Sequence, residues 1–395
     1  MGLFTRSPKE TVGALIVDIG SGSVGLAIVQ STVGTAHPDI LWSHREFSLI
    51  RDLDADTWSL REINTALINA FLKLGSEGLK VLHERAPRLA LSTMEVTVSA
   101  PWTYTVSQTV HYSEEHPFAI TDTLVEELAE TASKKATEAV LEQSQIAANG
   151  LVTIDNQTIG VLANDYALTT YDGLKAKDIV LIQLTALTHQ RILEALIEVR
   201  HKMLPRTGLV THSFMSVFFS YLRDSSPDTT ECCLIDVTNE ATEIGIVRDN
   251  MLRHTSHTAA GAYTLAREIA TLSKVPKEEA YAYLRGGESF ILNKLSLSKQ
   301  AALNTILETY EATISMLFKE TGDTLAIPQT IFLHCDADTE QFFMTHLQQA
   351  AERATGMHHE IHPISSTFID STKPRSDTPI LLSANHFHRE RLAAL

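Results

Sequence analysis

Two stretches of the sequence place an aspartate near the end of an apolar run and follow it with a loop of small residues. The first is "LIVDIGSGSVGLAIV", which contains Asp18, and the second is "CLIDVTNEATEIGIV", which contains Asp236. Mg²⁺ prefers carboxylate oxygens as ligands, and small residues let backbone N–H groups come close to phosphate oxygens. If the two loops face one another, they can clamp the phosphates of a nucleotide while Asp18 and Asp236 hold a bridging Mg²⁺.

The glycines of the first loop, "GSGSVG" at residues 20–25, also fit the G-x-G-x-x-G fingerprint of dinucleotide-binding domains. That fingerprint requires a helix directly after the glycines and an acidic residue about twenty positions further on, at the end of the next strand. Here apolar, partly β-branched runs lie on both sides of the loop, at 12–17 and 26–29, and Asp39 follows the loop "GTAHP". The pattern therefore predicts a β-hairpin and argues against a dehydrogenase.

Simpler roles remain open for the same residue types. Asp18 and Asp236 could accept backbone N–H bonds as ordinary turn residues. The histidines of "HHEIHP" (358–363) and "HFH" (386–388) suggest metal ligands, but neither group has cysteine or carboxylate partners at the spacing of a structural zinc site. We expect these histidines to be solvated side chains.

The elements that must position the two loops alternate between helical and strand patterns. Apolar residues at helical spacing within 55–86 predict a helix packed on the first sheet, and Thr121 predicts the cap of a second helix. Residues 95–185 are predicted to form a strand, a helix and further strands, a small α+β unit of a size that could be inserted in a larger domain. Two helical stretches then precede the second hairpin, and residues 262–322 are mainly helical. The order of the first hairpin, a strand, a loop of small residues and a second strand, thus occurs a second time in the chain.

Composition excludes several classes of function. The chain has 395 residues, 44% of them hydrophobic, and a formal net charge of −16, with no run of five basic residues. This charge argues against nucleic acid as a partner. No apolar span of 18 residues occurs, so no transmembrane segment is expected. The three cysteines lie in or beside apolar runs, which predicts buried thiols in a reducing compartment.

The ordered set of motifs resembles the actin-like ATPases, and within them the bacterial branch that holds the cell-division protein FtsA and the type IV pilus assembly protein PilM. "DIGSGSVG" is similar to the first phosphate motif of the family, and "DVTNEAT" followed by "IGIVRDNMLRHTSHTAAG" is similar to the second. "TVSAPWTYT" and "GVLANDYALTTYDGLKAKDIVLIQLTALTHQRILEAL", which flank the α+β unit, also resemble this branch. The resemblance covers nearly all of the chain.

This resemblance implies an α/β, actin-like (ribonuclease H-like) two-domain fold with an inserted small α+β subdomain. Residues 1–94 and 186–230 would form the first domain, and 95–185 the inserted subdomain. Residues 231–395 would form the second domain, with a helical subdomain at about 262–325.

The resemblance also implies ATP and Mg²⁺ as ligands and no catalytic residue that can be named. Asp18 and Asp236 would hold the metal ion. The nucleotide would be bound by the two hairpin loops and the glycine beyond the second, namely Asp18, Gly20, Ser21, Gly22, Ser23, Asp236, Thr238, Ala241, Thr242 and Gly261.

Three departures from the family pattern argue against ATP hydrolysis. Thr238 stands where the family has glycine, which puts a Cβ where backbone should approach phosphate. Glu243 replaces a small hydroxyl residue. In "IFLHCDADTEQFF" the sequence His334-Cys335-Asp336 replaces the Gly-Gly turn of the adenosine site, and Asp336 and Asp338 add negative charge that would repel phosphate.

Within the branch, the start "MGLFTRSPKETVGALIVDIGS" and the loop residues 240–242 resemble the PilM family, whereas the end "NHFHRERLAAL" does not resemble the membrane helix of FtsA. The implied function is a cytoplasmic scaffold of the type IV pilus assembly machinery, peripheral to the inner membrane. Its implied partner is the cytoplasmic N-terminal peptide of a PilN-like inner-membrane protein, docked at the inserted subdomain, and self-association is a second implied contact. The alternatives are an FtsA-like membrane tether for cell division and an actin-fold ATPase or sugar kinase.

Overall fold

The computed structural model describes residues 10–49, 58–143, 150–320, 327–336, 339–367 and 377–395. The apolar and basic start of the chain at 1–9 and the predicted acidic residue Asp338 lie outside these ranges.

The described residues form fourteen strands and twelve α-helices. The strands are β1 (Thr11–Ile19), β2 (Ser23–Thr32), β3 (Asp39–Phe47), β4 (Leu91–Val98), β5 (Thr103–Ala119), β6 (Leu151–Ala163), β7 (Tyr166–Ala167), β8 (Lys175–His189), β9 (Gly208–Ser213), β10 (Cys232–Val237), β11 (Thr242–Arg248), β12 (Met251–Thr258), β13 (Thr330–Cys335) and β14 (Glu360–Pro363). The helices are α1 (Trp58–Lys73), α2 (Leu79–Arg85), α3 (Asp122–Gln143), α4 (Gln190–Met203), α5 (Phe214–Ser225), α6 (Ala262–Ser273), α7 (Lys277–Gly286), α8 (Glu288–Lys294), α9 (Leu297–Lys319), α10 (Glu340–Thr355), α11 (Ile364–Thr367) and α12 (Thr378–Ala393). A π-helical turn, Leu74–Gly78, joins α1 to α2.

Two five-stranded sheets share one topology. The first has the order β3-β2-β1-β4-β9 and the second the order β12-β11-β10-β13-β14. In each sheet the first three strands pair antiparallel and the last three pair parallel. A third sheet, with the order β5-β8-β6-β7, is antiparallel and lies between β4 and β9 in the chain. The two predicted hairpins are therefore confirmed as β1–β2 and β10–β11.

Helices cover the sheets along apolar faces. On α1 the buried side chains Leu60, Ile63 and Leu67 recur at helical spacing and join α4 against the first sheet. The helix α3 packs on the inserted sheet, and its first turn is capped as predicted, because the Leu124 N–H donates to Thr121 Oγ1 at 3.2 Å. Helices α6, α9 and α10 cover one face of the second sheet. No helix among these described residues is long and apolar enough to cross a membrane.

The last helix, α12, packs against the first sheet although the chain reaches it from the second. Its residues Ile380, Ala384 and Phe387 form a buried cluster with β1 and β2. Helix α12 also contacts α5, whose aromatic residues pack on β10. The predicted domain bounds were drawn from sequence motifs alone and stay a prediction. In the structure, residues 95–98 pair within the first sheet, and β8 continues to His189.

The expectation that the histidines of the two motifs are solvated is wrong for three of them, whereas His358 is exposed and His362 is partly exposed. His359, His386 and His388 are buried, with exposed fractions of 0%, 8% and 1%, and only His358 of these four is exposed. His388 Nδ1 lies 2.7 Å from Ser31 Oγ, and His359 Nδ1 lies 3.0 Å from the Pro328 carbonyl oxygen. The buried histidines help to pack α12 and the segment before β14. The sequence pattern did not show that these positions are buried. The three cysteines are buried and free, as expected.

Candidate functional site

The two predicted loops lie at equivalent ends of the two sheets. The first, residues 20–22, joins β1 to β2, and the second, residues 238–241, joins β10 to β11. Asp18 and Asp236 are each the penultimate residue of the central strand of their sheet. Their exposed fractions are 1% and 0%, so both carboxyl groups are removed from water and need compensating partners.

The partner of Asp18 is Arg45, which reaches it across a glycine. Asp18 is opposite Gly25 in the β1–β2 pair, and Gly25 is opposite Arg45 in the β2–β3 pair. A Cβ added at Gly25 would lie 2.6 Å from Arg45 Nη2, so only glycine leaves room for the guanidinium. Arg45 Nη2 donates to Asp18 Oδ2 at 2.6 Å, and Nη1 donates to Ser23 Oγ at 2.7 Å.

Arg45 also pairs with Asp377, the residue just before α12. Its Nη2 donates to Asp377 Oδ1 at 2.5 Å, and its Nε donates to Asp377 Oδ2. Burial opposes the charge of Arg45, but Asp377 and Asp18 together raise its pKa above the ordinary value. Burial raises the pKa of Asp18, and the charge of Arg45 limits this rise. We call Arg45, Asp18, Ser23 and Asp377 the Arg45 cluster.

The partner of Asp236 is His334, one of the residues that replace the expected Gly-Gly turn. The two are opposite one another in the parallel β10–β13 pair, and His334 Nδ1 lies 2.7 Å from Asp236 Oδ1. Burial lowers the pKa of His334, but the hydrogen bond and negative charge of Asp236 raise it to about 9. His334 is therefore a cation at neutral pH, and it donates to Asp236. Asp236 Oδ2 has no hydrogen-bond partner among the described residues.

Asp336 lies between the two loops. Its Oδ2 accepts from Asn239 Nδ2 at 3.1 Å, and a Cβ added at Gly20 would lie 3.7 Å from the same oxygen. Burial raises the pKa of Asp336 to about 7, against the nearby charge of His334. Asn239 Oδ1 in turn accepts from the hydroxyl of Tyr281 at 2.7 Å. Protein side chains therefore fill this part of the cleft.

The two loops contact each other directly. Ser21 Oγ accepts from the N–H of Glu240 at 2.8 Å. A Cβ added at Gly22 would lie 2.5 Å from Asn239 Nδ2, so Gly22 is required for this close approach. The two loops thus face one another, and they touch at Ser21 with Glu240 and at Gly22 with Asn239.

The remaining predicted residues form hydrogen bonds within their own loops. The N–H of Gly20 donates to the Ser23 carbonyl at 3.0 Å, and the N–H of Thr238 donates to the Ala241 carbonyl at 2.8 Å. The N–H of Ala241 donates to Thr238 Oγ1 at 3.1 Å.

Two predicted residues lie behind the second loop. Thr242 Oγ1 donates to the Ala260 carbonyl at 2.6 Å. Gly261 supports the loop from behind, because a Cβ there would lie 2.5 Å from the Thr238 carbonyl oxygen and 2.6 Å from Ala241 N.

In this arrangement the residues do not fit ATP and Mg²⁺. Arg45 and His334 already neutralise the two carboxylates that were predicted to hold the metal ion. The N–H groups of Gly20, Thr238 and Ala241, predicted phosphate donors, are paired within the protein. Throughout the ranges that the structure describes, no group of three or more His, Cys, Asp or Glu residues is arranged to hold a metal ion. Nucleotide binding by the predicted residues stays a prediction.

Sequence reasoning missed Arg45 and Asp377. The signal for Arg45 was present, because counting the register across two antiparallel hairpins aligns it with Gly25 and Asp18. Asp377 follows residues outside the described ranges, and nothing in the local sequence marks it as a partner of β3.

Among the comparisons with known proteins, only the search of solved structures gave matches. A scan against models of protein families found no match, and no curated protein matched the sequence. Among solved structures, the PilM–PilN type IV pilus biogenesis complex matches with a TM-score of 0.52 and 12% identity over 97% of this chain and 98% of that chain. The ethanolamine utilization protein EutJ from Carboxydothermus hydrogenoformans has a TM-score of 0.45 and 12% identity, and the match covers 96% of this chain and 92% of that chain. An actin-like ATPase-fold protein of unknown function from Bacteroides thetaiotaomicron has a TM-score of 0.45 and 9% identity over 94% and 95% of the two chains.

The α/β actin-like fold that the motifs predicted is therefore confirmed, because the chain shares the fold of the structure of the PilM–PilN complex.

Proposed function

We propose that this chain is a PilM-like cytoplasmic scaffold of a type IV pilus assembly machinery. The observation that supports this most directly is the match to the PilM–PilN complex along almost the full length of both chains, which includes the inserted sheet. The chain binds the cytoplasmic N-terminal peptide of a PilN-like inner-membrane protein, and this contact holds it at the membrane. Its function is binding, without ATP hydrolysis.

The inserted subdomain has the charge that such a partner requires. From β5 through β8, residues 103–189 contain twelve Asp and Glu residues and four Lys residues. Cytoplasmic segments beside transmembrane helices carry an excess of Lys and Arg. An acidic surface attracts such a segment and raises its rate of association, and salt weakens this attraction.

The internal pairing of the cleft supports a scaffold over an ATPase or a sugar kinase. A working ATPase needs free phosphate donors and free carboxylates for the metal, whereas Asp18 and Asp236 are paired with Arg45 and His334. An FtsA-like tether needs an apolar helix that is free to enter a membrane. The last helix, α12, buries Ile380 in the protein instead.

The test is isothermal titration of the full chain with a synthetic peptide of the N-terminal cytoplasmic segment of the organism's own PilN-like protein. We expect saturable binding that weakens as sodium chloride is raised from 50 to 500 mM. Over this range the Debye length falls from about 14 to about 4 Å, so the attraction between exposed charges is screened more strongly. A scrambled peptide of the same composition is the control for charge alone.

Absence of binding by the native peptide, or equal binding by the scrambled peptide, would contradict the proposal. A flotation assay with anionic vesicles tests the tether: migration of the chain with the vesicles in the absence of peptide would favour the FtsA-like alternative.

A further inference from the structure

The first hairpin has a buried cation, Arg45, beside Asp18, one of the two carboxylates that were predicted to hold Mg²⁺. Arg45 contacts two carboxylates and one hydroxyl, and all of them belong to the Arg45 cluster. The guanidinium is fully charged at any pH that the protein experiences, and its fork of N–H donors matches two carboxylates at once. The carboxylate and hydroxyl oxygens that contact Arg45 are also the type of ligand that a divalent cation such as Mg²⁺ prefers.

The cluster connects three separate parts of the chain. Asp18 and Ser23 belong to the first hairpin, Arg45 comes from β3, and Asp377 directly precedes α12, where the chain has returned from the second sheet. A charge removed from such a buried cluster leaves the opposite charges unpaired, which is strongly unfavourable. By binding Asp18, Ser23 and Asp377 together, Arg45 therefore holds the first loop in position relative to the start of α12.

The loops meet next to this cluster. Ser23, which accepts from Arg45, closes the first loop through its carbonyl, which accepts from the N–H of Gly20. The same loop presents Ser21 Oγ to the N–H of Glu240 and gives Gly22 its contact with Asn239. A further bond joins the second loop to the segment between β4 and β5, from Thr238 Oγ1 to the Ala100 carbonyl at 3.1 Å.

We propose that Arg45 is a built-in substitute for the metal ion of the cleft and holds the two hairpin loops in contact in the absence of nucleotide. The closed arrangement is then a property of the amino-acid chain and not of a ligand. Because this proposal concerns the cleft alone, it does not depend on the identity of the partner protein.

The first experiment compares the wild-type chain with Arg45→Ala. The matched control is Arg389→Ala, which removes an arginine that pairs with Asp224 at 2.6 Å outside the cleft. Hydrogen exchange measured by mass spectrometry is followed in peptides that cover residues 18–25 and 236–243, with and without Mg²⁺ and ATP. We expect the wild type to be protected in both peptides and unchanged by Mg²⁺ and ATP, and Arg45→Ala to exchange at least tenfold faster in both.

The second experiment asks whether a divalent cation can replace the lost guanidinium. Without Arg45, the oxygens of Asp18, Asp377 and Ser23 lose the cation that they share. We expect added Mg²⁺ or Ca²⁺ to raise the melting temperature of Arg45→Ala and to restore its protection. The wild type and Arg389→Ala should show no such rise.

Two further variants keep the test decisive if Arg45→Ala does not fold. Ser21→Ala removes only the hydrogen bond between the loops and should increase exchange in 236–243 while the fold persists. Arg45→Lys keeps one positive charge without the fork and should give partial protection, with no response to Mg²⁺.

Three results would overturn the proposal. One is a wild-type chain that binds ATP with Mg²⁺ and becomes more protected at both loops. Another is an Arg45→Ala chain that folds and exchanges no faster than Arg389→Ala. The third, in case Arg45→Ala fails to fold, is a Ser21→Ala chain with unchanged protection in 236–243.

Discussion

Three buried carboxyl groups near the second loop differ in how their charge is compensated. Asp236 has the cation His334, and Asp336 has the amide of Asn239. Glu243, opposite Asp236 in the β10–β11 pair, has an Oε2 atom with no hydrogen-bond partner within the described part of the chain. Burial raises the pKa of Glu243 well above its ordinary value, and the neighbouring charge of Asp236 adds to this effect. Folding therefore favours the protonated form of Glu243.

Replacement of Glu243 by glutamine should stabilise the protein, and more so as the pH rises. The unfolded chain releases the proton of Glu243 near the ordinary pKa, whereas the folded chain holds it to a higher pH, so stability falls as the pH rises above the ordinary pKa. Glutamine removes this dependence and offers an N–H toward the unpaired Asp236 Oδ2. We expect Glu243→Gln to raise the free energy of unfolding at pH 7 by about 1–3 kcal/mol and by less at pH 4.

Urea unfolding at the two pH values measures this effect. Glu308→Gln, on the exposed side of α9, is the control and should change stability by less than about 0.5 kcal/mol at either pH. A gain for Glu243→Gln that is equal at pH 4 and pH 7 would mean that Glu243 is ionised in the folded protein.

Among the single residues of the site, the two aspartates could be predicted from the sequence, but their partners could not. Asp18 and Asp236 could be found because each follows an apolar strand and precedes a loop of small residues. His334 could not be paired with Asp236, because 98 residues separate them and the pairing depends on parallel strands that only the folded sheet brings together. Arg45 required a count of register across β2, and local patterns do not supply that count.

Among the elements, one junction joins the first sheet, the inserted sheet and α12 around a histidine. His212 in β9 has its Nδ1 2.9 Å from Asp155 Oδ2 in β6 and its Nε2 3.5 Å from Glu95 Oε2 in β4. Its ring centre is 4.8 Å from that of His386 in α12. Burial opposes the charge of His212, but Asp155 and Glu95 raise its pKa to about 9. Burial and the charges of His212 and Arg223 lower the pKa of His386 to about 3.

The stabilisation from His212 should disappear in alkali. Because the folded pKa of about 9 is above the unfolded value of 6.5, the contribution is complete below pH 6.5 and is lost as the pH rises through 9. At pH 6 we expect His212→Gln to be less stable than the wild type by about 2–3 kcal/mol, and at pH 9.5 we expect a smaller difference.

The measurement is urea unfolding of both proteins at pH 6 and pH 9.5. His334 is unchanged in both, so its own loss of charge cancels in the comparison. Exposed His111, replaced in the same way, is the control for loss of a histidine side chain outside this junction. A His212→Gln difference that stays constant between the two pH values would show that the contacts of His212, and not its charge, provide the stability.

The type of each helix and strand could be predicted from the sequence, but the residues at which it ends could not. Helical periodicity located α1 and the helices after β12, and β-branched runs located both hairpins, because these patterns are local. No local pattern indicated that β8 continues to His189 or that β9 lies beside β4, since both depend on strand partners far along the chain.

Over the whole molecule, two copies of one sheet topology are held together by helices that lie between them. Helix α5 packs on the second sheet, α12 packs on the first, and the two helices contact each other. Because α12 comes after the second sheet in the chain, the first sheet is completed only when the last helix returns. The free energy of folding of the first sheet is therefore linked to a helix that the sequence assigned to the second domain.

Truncation of Ile380 tests this dependence. Ile380 is 1% exposed and packs on the apolar face of β1 and β2, so its replacement by alanine leaves a cavity against the first sheet. We expect Ile380→Ala to lower the free energy of unfolding by about 2–5 kcal/mol. Amide exchange should become faster in β1 and β2 before it changes in β10 and β11, because the lost contacts belong to the first sheet.

Leu297→Ala is the control, since Leu297 is 84% exposed at the start of α9 and its truncation removes little buried contact. Exchange that accelerates first in β10 and β11 of Ile380→Ala would show that α12 stabilises the second sheet instead. Equal acceleration in both sheets would show that they open as a single cooperative unit, and the first sheet would then have no separate dependence on α12. Exchange confined to β1 and β2 would mean that the C-terminal helix completes the first domain, so that any division of this chain into its two halves must assign α12 to the first.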